Sequence, residues 1–280
     1  MDALPATIAQ ALPAAQALGV DRLDAQLLLL HALGRGGDER AWLLAHDDDV
    51  LPADLAARYQ DLLLRRLAGE PVAYLVGEKE FHGLMLQVDA RVLVPRPDTE
   101  TLVDWAIERL TGLREVRVID LGTGSGAIAL ALQKARPDLQ IHAFDASQDA
   151  LAVARANGER LGLPVRFAHG DWLEGAGNGY SLIVSNPPYV REGDPHMPAL
   201  KHEPVSALTS GSDGLADIRR IVDAAPQHLA EGGWLLLEHG HDQAGEVRAL
   251  LDARGFAQVQ SRRDLAGIER CSGGLWRSVK

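Results

Sequence analysis

Asn186-Pro187-Pro188-Tyr189 directly follows an apolar run at residues 181–185. The Asn186 side-chain oxygen is a hydrogen-bond acceptor, and so is the Pro187 carbonyl. Proline has no N–H, so no donor competes there. Two converging acceptors suit an –NH2 group with two hydrogens, and Tyr189 offers a flat face to a planar amide or base. No cysteine, Ser–His pair or metal-ligand cluster stands beside them. The segment therefore reads as a holder for a planar amine or amide nitrogen acting as nucleophile. Asn186, Pro187 and Tyr189 are its candidate catalytic residues, and Pro188 joins them against the substrate. The plainer reading is an Asn-Pro turn that ends a strand, but such a turn needs neither a second proline nor an aromatic.

A second segment complements the first. Asp120-Leu121-Gly122-Thr123-Gly124-Ser125-Gly126 lies between a strand pattern at 116–120 and a helix pattern at 126–136. Glycines let the backbone approach a ligand and leave the N–H groups of a helix start pointing at it. Asp145 ends the next strand pattern, 19 residues after Gly126, where a carboxylate can accept both hydroxyls of a ribose. Asp171-Trp172 follows the third strand pattern: Asp171 can accept from an exocyclic amine, and Trp172 can offer its backbone and ring to an adenine. The plainer readings are a tight turn without ligand, and a capping Asp beside a core Trp. With Ala127 in the last place the loop also fits G-x-G-x-x-G/A, which leaves a nicotinamide enzyme open.

These residues need a scaffold, and the rest of the sequence supplies one. Strand patterns at 116–120, 141–145, 165–168, 181–185 and 233–238 alternate with helix patterns at 126–136, 147–161 (capped by Ser147), 213–229 (bent by Pro226) and up to about residue 254. Residues 259–262 and 275–279 are expected to close the sheet. The alternation implies an α/β fold, a mainly parallel sheet with helices on both faces. Ligands of such sheets bind beyond the carboxyl ends of the strands, where the strand order switches. If the strand at 181–185 lies next to the one at 116–120, Asn186 faces the glycine loop across that crevice. Upstream, Leu23, Leu27 and Leu30, then Leu55, Tyr59, Leu62, Leu63 and Leu67, recur at helical spacing. Glycines 34, 36, 37 and 69 and Pro71 stop these helices. Between this helical region and the sheet, residues 81–94 read as a strand pair, and Asp98 or Thr99 can cap a helix running to about residue 110.

Composition narrows the class. The 280 residues are 46% hydrophobic and 24% charged, which excludes collagenous, disordered and coiled-coil chains. The lone Cys271 can form neither an intrachain disulfide nor a zinc site and points to a reducing, cytoplasmic setting. The start Met1-Asp2-Ala3-Leu4-Pro5 lacks the basic opening of a signal peptide, and the longest apolar stretches are too short to span a bilayer. A net charge of −11 weighs against a nucleic-acid backbone as partner.

Residues 120–126 together with Asn186-Pro187-Pro188-Tyr189 resemble the amino-methylating class of S-adenosyl-L-methionine-dependent methyltransferases. Further segments narrow the likeness: Pro71-Val72-Ala73-Tyr74-Leu75-Val76-Gly77 with Phe81 and Gly83, Pro95-Arg96-Pro97-Asp98-Thr99-Glu100, His202-Glu203-Pro204, and Leu236-Leu237-Glu238-His239-Gly240. With these the chain, from about residue 71 to 270, resembles the PrmC/HemK family, the glutamine N5-methyltransferases of peptide-chain release factors. Cys271 and Gly273-Gly274 depart from the family pattern.

The resemblance implies a helical substrate-recognition domain (1–72), a β-hairpin linker (73–94) and a seven-stranded Rossmann-like class I methyltransferase domain (95–280). Gly122, Thr123, Gly124, Ser125, Gly126, Asp145, Asp171, Trp172 and Asn186 would hold S-adenosyl-L-methionine, with S-adenosyl-L-homocysteine as product. Asn186, Pro187, Pro188 and Tyr189 would hold the glutamine of the Gly-Gly-Gln motif in class 1 release factors. No metal, membrane or direct nucleic-acid partner is expected. Residues 191–212, with Pro195, Pro198 and Pro204 and no periodicity, are expected either to enclose the incoming glutamine loop or to be a solvated insertion. The competing readings are a glutamine methyltransferase of a ribosomal protein, a nucleic-acid amino-methyltransferase, a nicotinamide oxidoreductase and a non-enzymatic binder of S-adenosyl-L-methionine.

Overall fold

A computed structural model describes residues 6–277. The chain divides into two compact units, Met1–Glu78 and Lys79–Lys280.

The first unit is helical: α1 (Ile8–Ala17), α2 (Arg22–Ala32), α3 (Arg40–Ala45), α4 (Ala53–Leu67) and α5 (Val72–Val76). Asp21 caps α2 by accepting the Leu23 N–H at 2.8 Å. The buried residues of α2 are Ala25, Leu28, Leu29, Leu30 and Ala32; four of them keep the i, i+3, i+4, i+7 spacing of an amphipathic helix, and Leu30 widens the stripe. Leu23 and Leu67, expected on apolar faces, are instead 45% and 44% exposed. Tyr59, Leu62 and Leu63 of α4 pack into the same core, and the buried Tyr59 hydroxyl donates to the Ala25 carbonyl.

The second unit opens with a hairpin, β1 (Glu78–Phe81) and β2 (Leu84–Gln87). Its two-residue turn, His82-Gly83, has φ of +48° and +72°, the left-handed pair that matches the twist of a tight hairpin. α6 (Asp98–Arg109), β3 (Arg117–Leu121), α7 (Ala127–Ala135), β4 (Gln140–Asp145), α8 (Gln148–Leu161), β5 (Arg166–His169) and β6 (Tyr180–Ser185) follow. The unit ends with α9 (Ala216–Ala224), β7 (Leu229–Glu238), α10 (Ala244–Arg254), β8 (Ala257–Arg263) and β9 (Glu269–Leu275). The seven-stranded sheet has the order β5-β4-β3-β6-β7-β9-β8. Its first five strands are parallel, and β9 runs antiparallel to both its neighbours.

Side chains alternate across each strand, so its near-continuous apolar runs fill two cores. Val118, Leu182, Val184 and Leu236 meet α6, α7 and the hairpin on one face. Ile119, Ile183, Leu235 and Leu237 meet α9 and α10 on the other. Asn157 of α8 ties the hairpin to the glycine loop. Its amide accepts the Gln87 N–H at 2.7 Å and donates to the carbonyls of Gln87 and Ser125 at 2.9 and 3.0 Å.

Several expectations shift. The last strand is Glu269–Leu275 rather than residues 275–279, and Val279 lies outside the described residues. Gly273 and Gly274, poor strand formers, sit inside it because α6 and β7 come close to the first and Phe256 and Val259 to the second. A Cβ on Gly273 would meet the Leu235 carbonyl and Leu236 Cδ2 at 2.5 Å and the Trp105 ring at 3.1 Å. No side chain caps α6; Thr99 points instead toward the end of β6. The helix expected at 213–229 is α9 followed by a 3-10 turn, Ala225–Gln227, since Pro226 lacks the N–H to continue. The Ser147 cap on α8 is present, with its hydroxyl accepting the Ala150 N–H at 3.2 Å.

Residues 191–212 contain two 3-10 turns, Met197–Leu200 and Val205–Ala207. The base of this loop is closed by backbone bonds from Val190 to Leu208, Ser210 to Val190 and Glu192 to Gly211.

Gly273→Ala is expected to destabilise the protein by about 1–3 kcal/mol through overpacking, read as a lower urea midpoint at unchanged slope; an unchanged midpoint would contradict the packing described.

Candidate functional site

β3 and β6 are parallel neighbours, with Leu121 opposite Ser185. The Ser185 hydroxyl donates to the Leu121 carbonyl at 2.7 Å, at the last point where the strands are joined. Beyond it the glycine loop leaves β3 and Asn186 leaves β6, and between them lies a cleft of about 420 Å³. That is a size typical of small-molecule sites. Gly122, Thr123, Gly124, Ser125, Asp145, Asp171, Trp172, Asn186 and Pro188 all line it. Gly126 caps α7 behind the loop with φ +85°. Pro187 is buried, and neither Pro187 nor Tyr189 lines the cleft.

The glycine loop is held from beneath. The Thr123 hydroxyl donates to the buried Asp120 carboxylate at 2.6 Å. Burial pushes Asp120 up to about 7, with the Thr123 bond working against it. Gly122 and Gly124 have φ of +67° and +56°. A Cβ on Gly122 would come within 3.3 Å of the Trp172 ring, whereas one on Gly124 would stand in open space. Backbone at Gly124 is therefore bare toward the cleft.

Asp145 accepts the Gly124 N–H through Oδ2 at 2.9 Å and the Ser147 N–H through Oδ1 at 2.8 Å. Burial raises its pKa, and these two bonds oppose the rise. Each carboxylate oxygen has two lone-pair directions and uses one here, which leaves one apiece for the two hydroxyls of a ribose. Trp172 adopts φ +53°, rare for a bulky residue. Its indole N–H donates to Asp217 at 3.1 Å, and Asp217 also accepts the Ser210 hydroxyl at 2.7 Å. Asp171 holds Arg220 through one oxygen at 2.6 Å and keeps the other for an amine. The residues present thus fit an adenosine-bearing donor.

At the far wall the Asn186 amide N–H donates to the Thr99 hydroxyl at 3.2 Å. The Tyr189 hydroxyl donates to Glu238 at 3.3 Å, and the Tyr189 carbonyl accepts from Gln243 at 3.1 Å. Burial pushes the Tyr189 phenol up. The loop at 191–212 reaches the cleft through Pro204, Ser206 and Ala207. The buried Glu203 anchors it by accepting the Val94 N–H at 3.0 Å and pairing with Arg96. Thr99, Asp217, Glu203 and Glu238 were not among the site residues read from the sequence. Thr99, Glu203 and Glu238 do lie inside the segments that carried the resemblance, and Asp217 had no sequence signal of its own.

Residues 6–77 match the PrmC N-terminal domain and residues 99–210 the Methyltransferase small domain. The chain is 51% identical to a release factor glutamine methyltransferase of Bordetella pertussis, over 91% of this chain and 95% of that one. It is 48% identical to one of Burkholderia pseudomallei, over 96% of each. The chain belongs to the release factor glutamine methyltransferase family. Members of this family are S-adenosyl-L-methionine-dependent methyltransferases, so the donor that the cleft fits is that compound. Among solved structures, a methyltransferase of Pyrococcus furiosus shares the fold, with TM-score 0.53 and 21% identity over 70% of this chain and 90% of that one. So does the 16S rRNA N2 G1207 methyltransferase of T. thermophilus in complex with AdoMet and guanosine, with TM-score 0.55 and 19% identity over 71% of this chain and 50% of that one. Among the described residues no helix is long and apolar enough to cross a membrane.

Asp145→Ala is expected to weaken S-adenosyl-L-methionine binding by about 10–100-fold, the loss of hydrogen bonds to a charged acceptor. Isothermal calorimetry checks this, and an unchanged affinity would remove Asp145 from the donor site.

Proposed function

We propose that this protein methylates the amide nitrogen (N5) of the glutamine in the Gly-Gly-Gln motif of class 1 peptide-chain release factors. One observation carries the reading: Asn186 and the glycine loop line a single cleft in a chain about half identical, almost end to end, to release factor glutamine methyltransferases.

The chemical difficulty is that an amide nitrogen is a poor nucleophile, because its lone pair is delocalised into the carbonyl. The sulfonium of S-adenosyl-L-methionine, when bound, supplies a strongly electrophilic methyl group. The chain's own residues then have two tasks. They hold the nitrogen in line with the methyl, which contributes up to roughly 7–11 kcal/mol at the ideal limit. They also favour a nitrogen that is becoming tetrahedral and positive. The Asn186 side-chain oxygen and the Pro187 carbonyl accept the two amide hydrogens, and these bonds strengthen as charge develops on the nitrogen. Pro188 shapes the cleft wall against which the carboxamide lies, and Tyr189 backs it, its hydroxyl held on Glu238. No general base is required, since the N–H is acidic once the nitrogen carries the methyl group.

Gly122, Thr123, Gly124, Ser125, Gly126, Asp145, Asp171 and Trp172 hold the donor: Asp145 on the ribose, Asp171 and Trp172 on the adenine. The loop at 191–212, with one limb already in the cleft wall, closes over the substrate's glutamine loop. The helical domain recognises the body of the release factor, and the hairpin region at 73–94 links it to the methyltransferase domain at 95–280. The site of action is the cytoplasm, where release factors work and where the buried Cys271 thiol needs no partner. The substrate surface is protein rather than nucleic acid, consistent with the charge of −11.

Incubation with isotope-labelled donor and a purified class 1 release factor is expected to label the Gly-Gly-Gln glutamine alone, as mapped by peptide mass spectrometry. Label elsewhere, or none, would overturn the assignment. Asn186→Ala is expected to lower kcat by about 10²–10³-fold, the effect of removing one electrostatic stabiliser, with a smaller change in donor affinity. Unchanged turnover would exclude Asn186 from the mechanism.

A further inference from the structure

Only one limb of the loop at 191–212 reaches the cleft. Pro204, Ser206 and Ala207 line it, and none of residues 191–202 does. Residues 204–209 form one compact turn. The Val205 carbonyl accepts the N–H groups of Leu208 and Thr209 at 3.0 and 3.1 Å and the Thr209 hydroxyl at 3.3 Å. Val205 itself is 60% exposed, so the turn has one side in the cleft and the other in solvent.

Each end of the turn is tied to a different wall. Before it, the buried Glu203 accepts the Val94 N–H at 3.0 Å and pairs with Arg96, and Arg96 lines the cleft. After it, the Ser210 hydroxyl donates to Asp217 at 2.7 Å and accepts the Asp217 N–H at 2.8 Å. The same Asp217 carboxylate accepts the Trp172 indole N–H at 3.1 Å. Arg220, bonded to Asp171, lies 3.7 Å from Asp217. Val190 pins the foot of the turn, donating to the Leu208 carbonyl and accepting the Ser210 N–H. Glu203 and Ser210 are both buried, and neither lines the cleft.

We propose that residues 204–209 are a strap over the bound donor, and that Glu203 and Ser210 are the positioning residues that fasten it and set how fast the donor leaves. The wall that Ser210 holds is the one assigned to adenine, since Asp217 joins Ser210 to Trp172. A donor seated between Asp145 and Trp172 lies under a segment that both walls hold. For it to leave, the strap lifts, and lifting breaks a hydrogen bond to a carboxylate at one end. Such charge-assisted bonds are stronger than neutral ones, so the open state is scarce and the departure rate follows its population. The same ties govern release of S-adenosyl-L-homocysteine after transfer, a kind of step that limits turnover in many enzymes. Because Glu203 and Ser210 stand outside the cleft lining, their effect on the donor passes through the strap. Residues 191–202 remain for the glutamine loop. The inference rests on the placing of adenine against Asp171 and Trp172 and not on the acceptor.

The test uses the full-length protein and S-adenosyl-L-homocysteine, with no release factor present. Stopped-flow tryptophan fluorescence over a series of ligand concentrations gives the dissociation rate as its intercept, with Trp172 in the cleft as reporter. Glu203→Gln and Ser210→Ala are each expected to raise that rate by about 10-fold or more, the loss of one hydrogen bond to a charged group. A rise of less than about threefold in either variant overturns the proposal. A Tm that rises on adding the ligand reports that the variant is folded. Hydrogen exchange on the wild type needs no variant. The ligand alone is expected to slow exchange in peptides covering 203–211 by about fivefold or more, as binding favours the closed strap. No slowing, or slowing that arrives only with a release factor, overturns the proposal. A wild type that binds no S-adenosyl-L-homocysteine overturns the donor site itself. One that binds it under the strap and methylates no release factor overturns only the acceptor reading.

Discussion

Two parallel strands that are joined along their length and then part organise this molecule. β3 leads to β4 on one side and β6 leads to β7 on the other, so the loops after β3 and β6 part over a gap. Any open parallel sheet creates such a gap where its strand order reverses. Here the last tie before the gap is a single buried hydroxyl, Ser185 to the Leu121 carbonyl. The glycine loop and Asn186 begin immediately beyond it. In the proposed reaction these are the donor and acceptor sides of the methyl transfer, and the strand order alone sets them face to face.

The walls of the gap are held by buried and half-buried carboxylates. Asp120 holds Thr123, Asp145 holds the Gly124 and Ser147 N–H groups, Glu203 holds Val94 and Arg96, and Glu238 holds Tyr189. Burying an acid is unfavourable unless it is hydrogen-bonded, and the raised pKa values of Asp120, Asp145 and Glu238 record that cost. In return a carboxylate that only accepts imposes a direction on every donor around it. A site that must present acceptors to an –NH2 group needs such a direction, and an apolar wall cannot give one.

Much of this was legible in the residues themselves. The strand–helix alternation, the glycine loop and the Asn-Pro-Pro-Tyr corner follow from local chemistry, and the prediction that Asn186 faces the glycine loop needed only the adjacency of two strands, which holds. What was not legible depends on long-range contact. β9 hid because Gly273-Gly274 has low strand propensity and is explained by how closely Leu235, Leu236 and Trp105 approach Gly273 and Phe256 approaches Gly274. Thr99 looked like a helix cap, because nothing local shows that the end of β6, 87 residues away, needs its hydroxyl more. Leu23 and Leu67 share the helical spacing of their neighbours yet stand largely exposed, because apolar spacing alone does not say how wide a helix's buried stripe is.

The central claim is that an oxygen acceptor of Asn186 meets the nucleophilic nitrogen beside the donor's methyl group. The most direct measurement is a crystal structure of this protein with S-adenosyl-L-homocysteine and a release factor, or its Gly-Gly-Gln loop as a peptide. The account predicts the glutamine amide nitrogen at about 2.7–3.2 Å from Asn186 Oδ1, the ordinary range for such a bond, on the cofactor side of the cleft. A glutamine side chain seated elsewhere, or an Asn186 oxygen turned away from it toward Thr99, would contradict it.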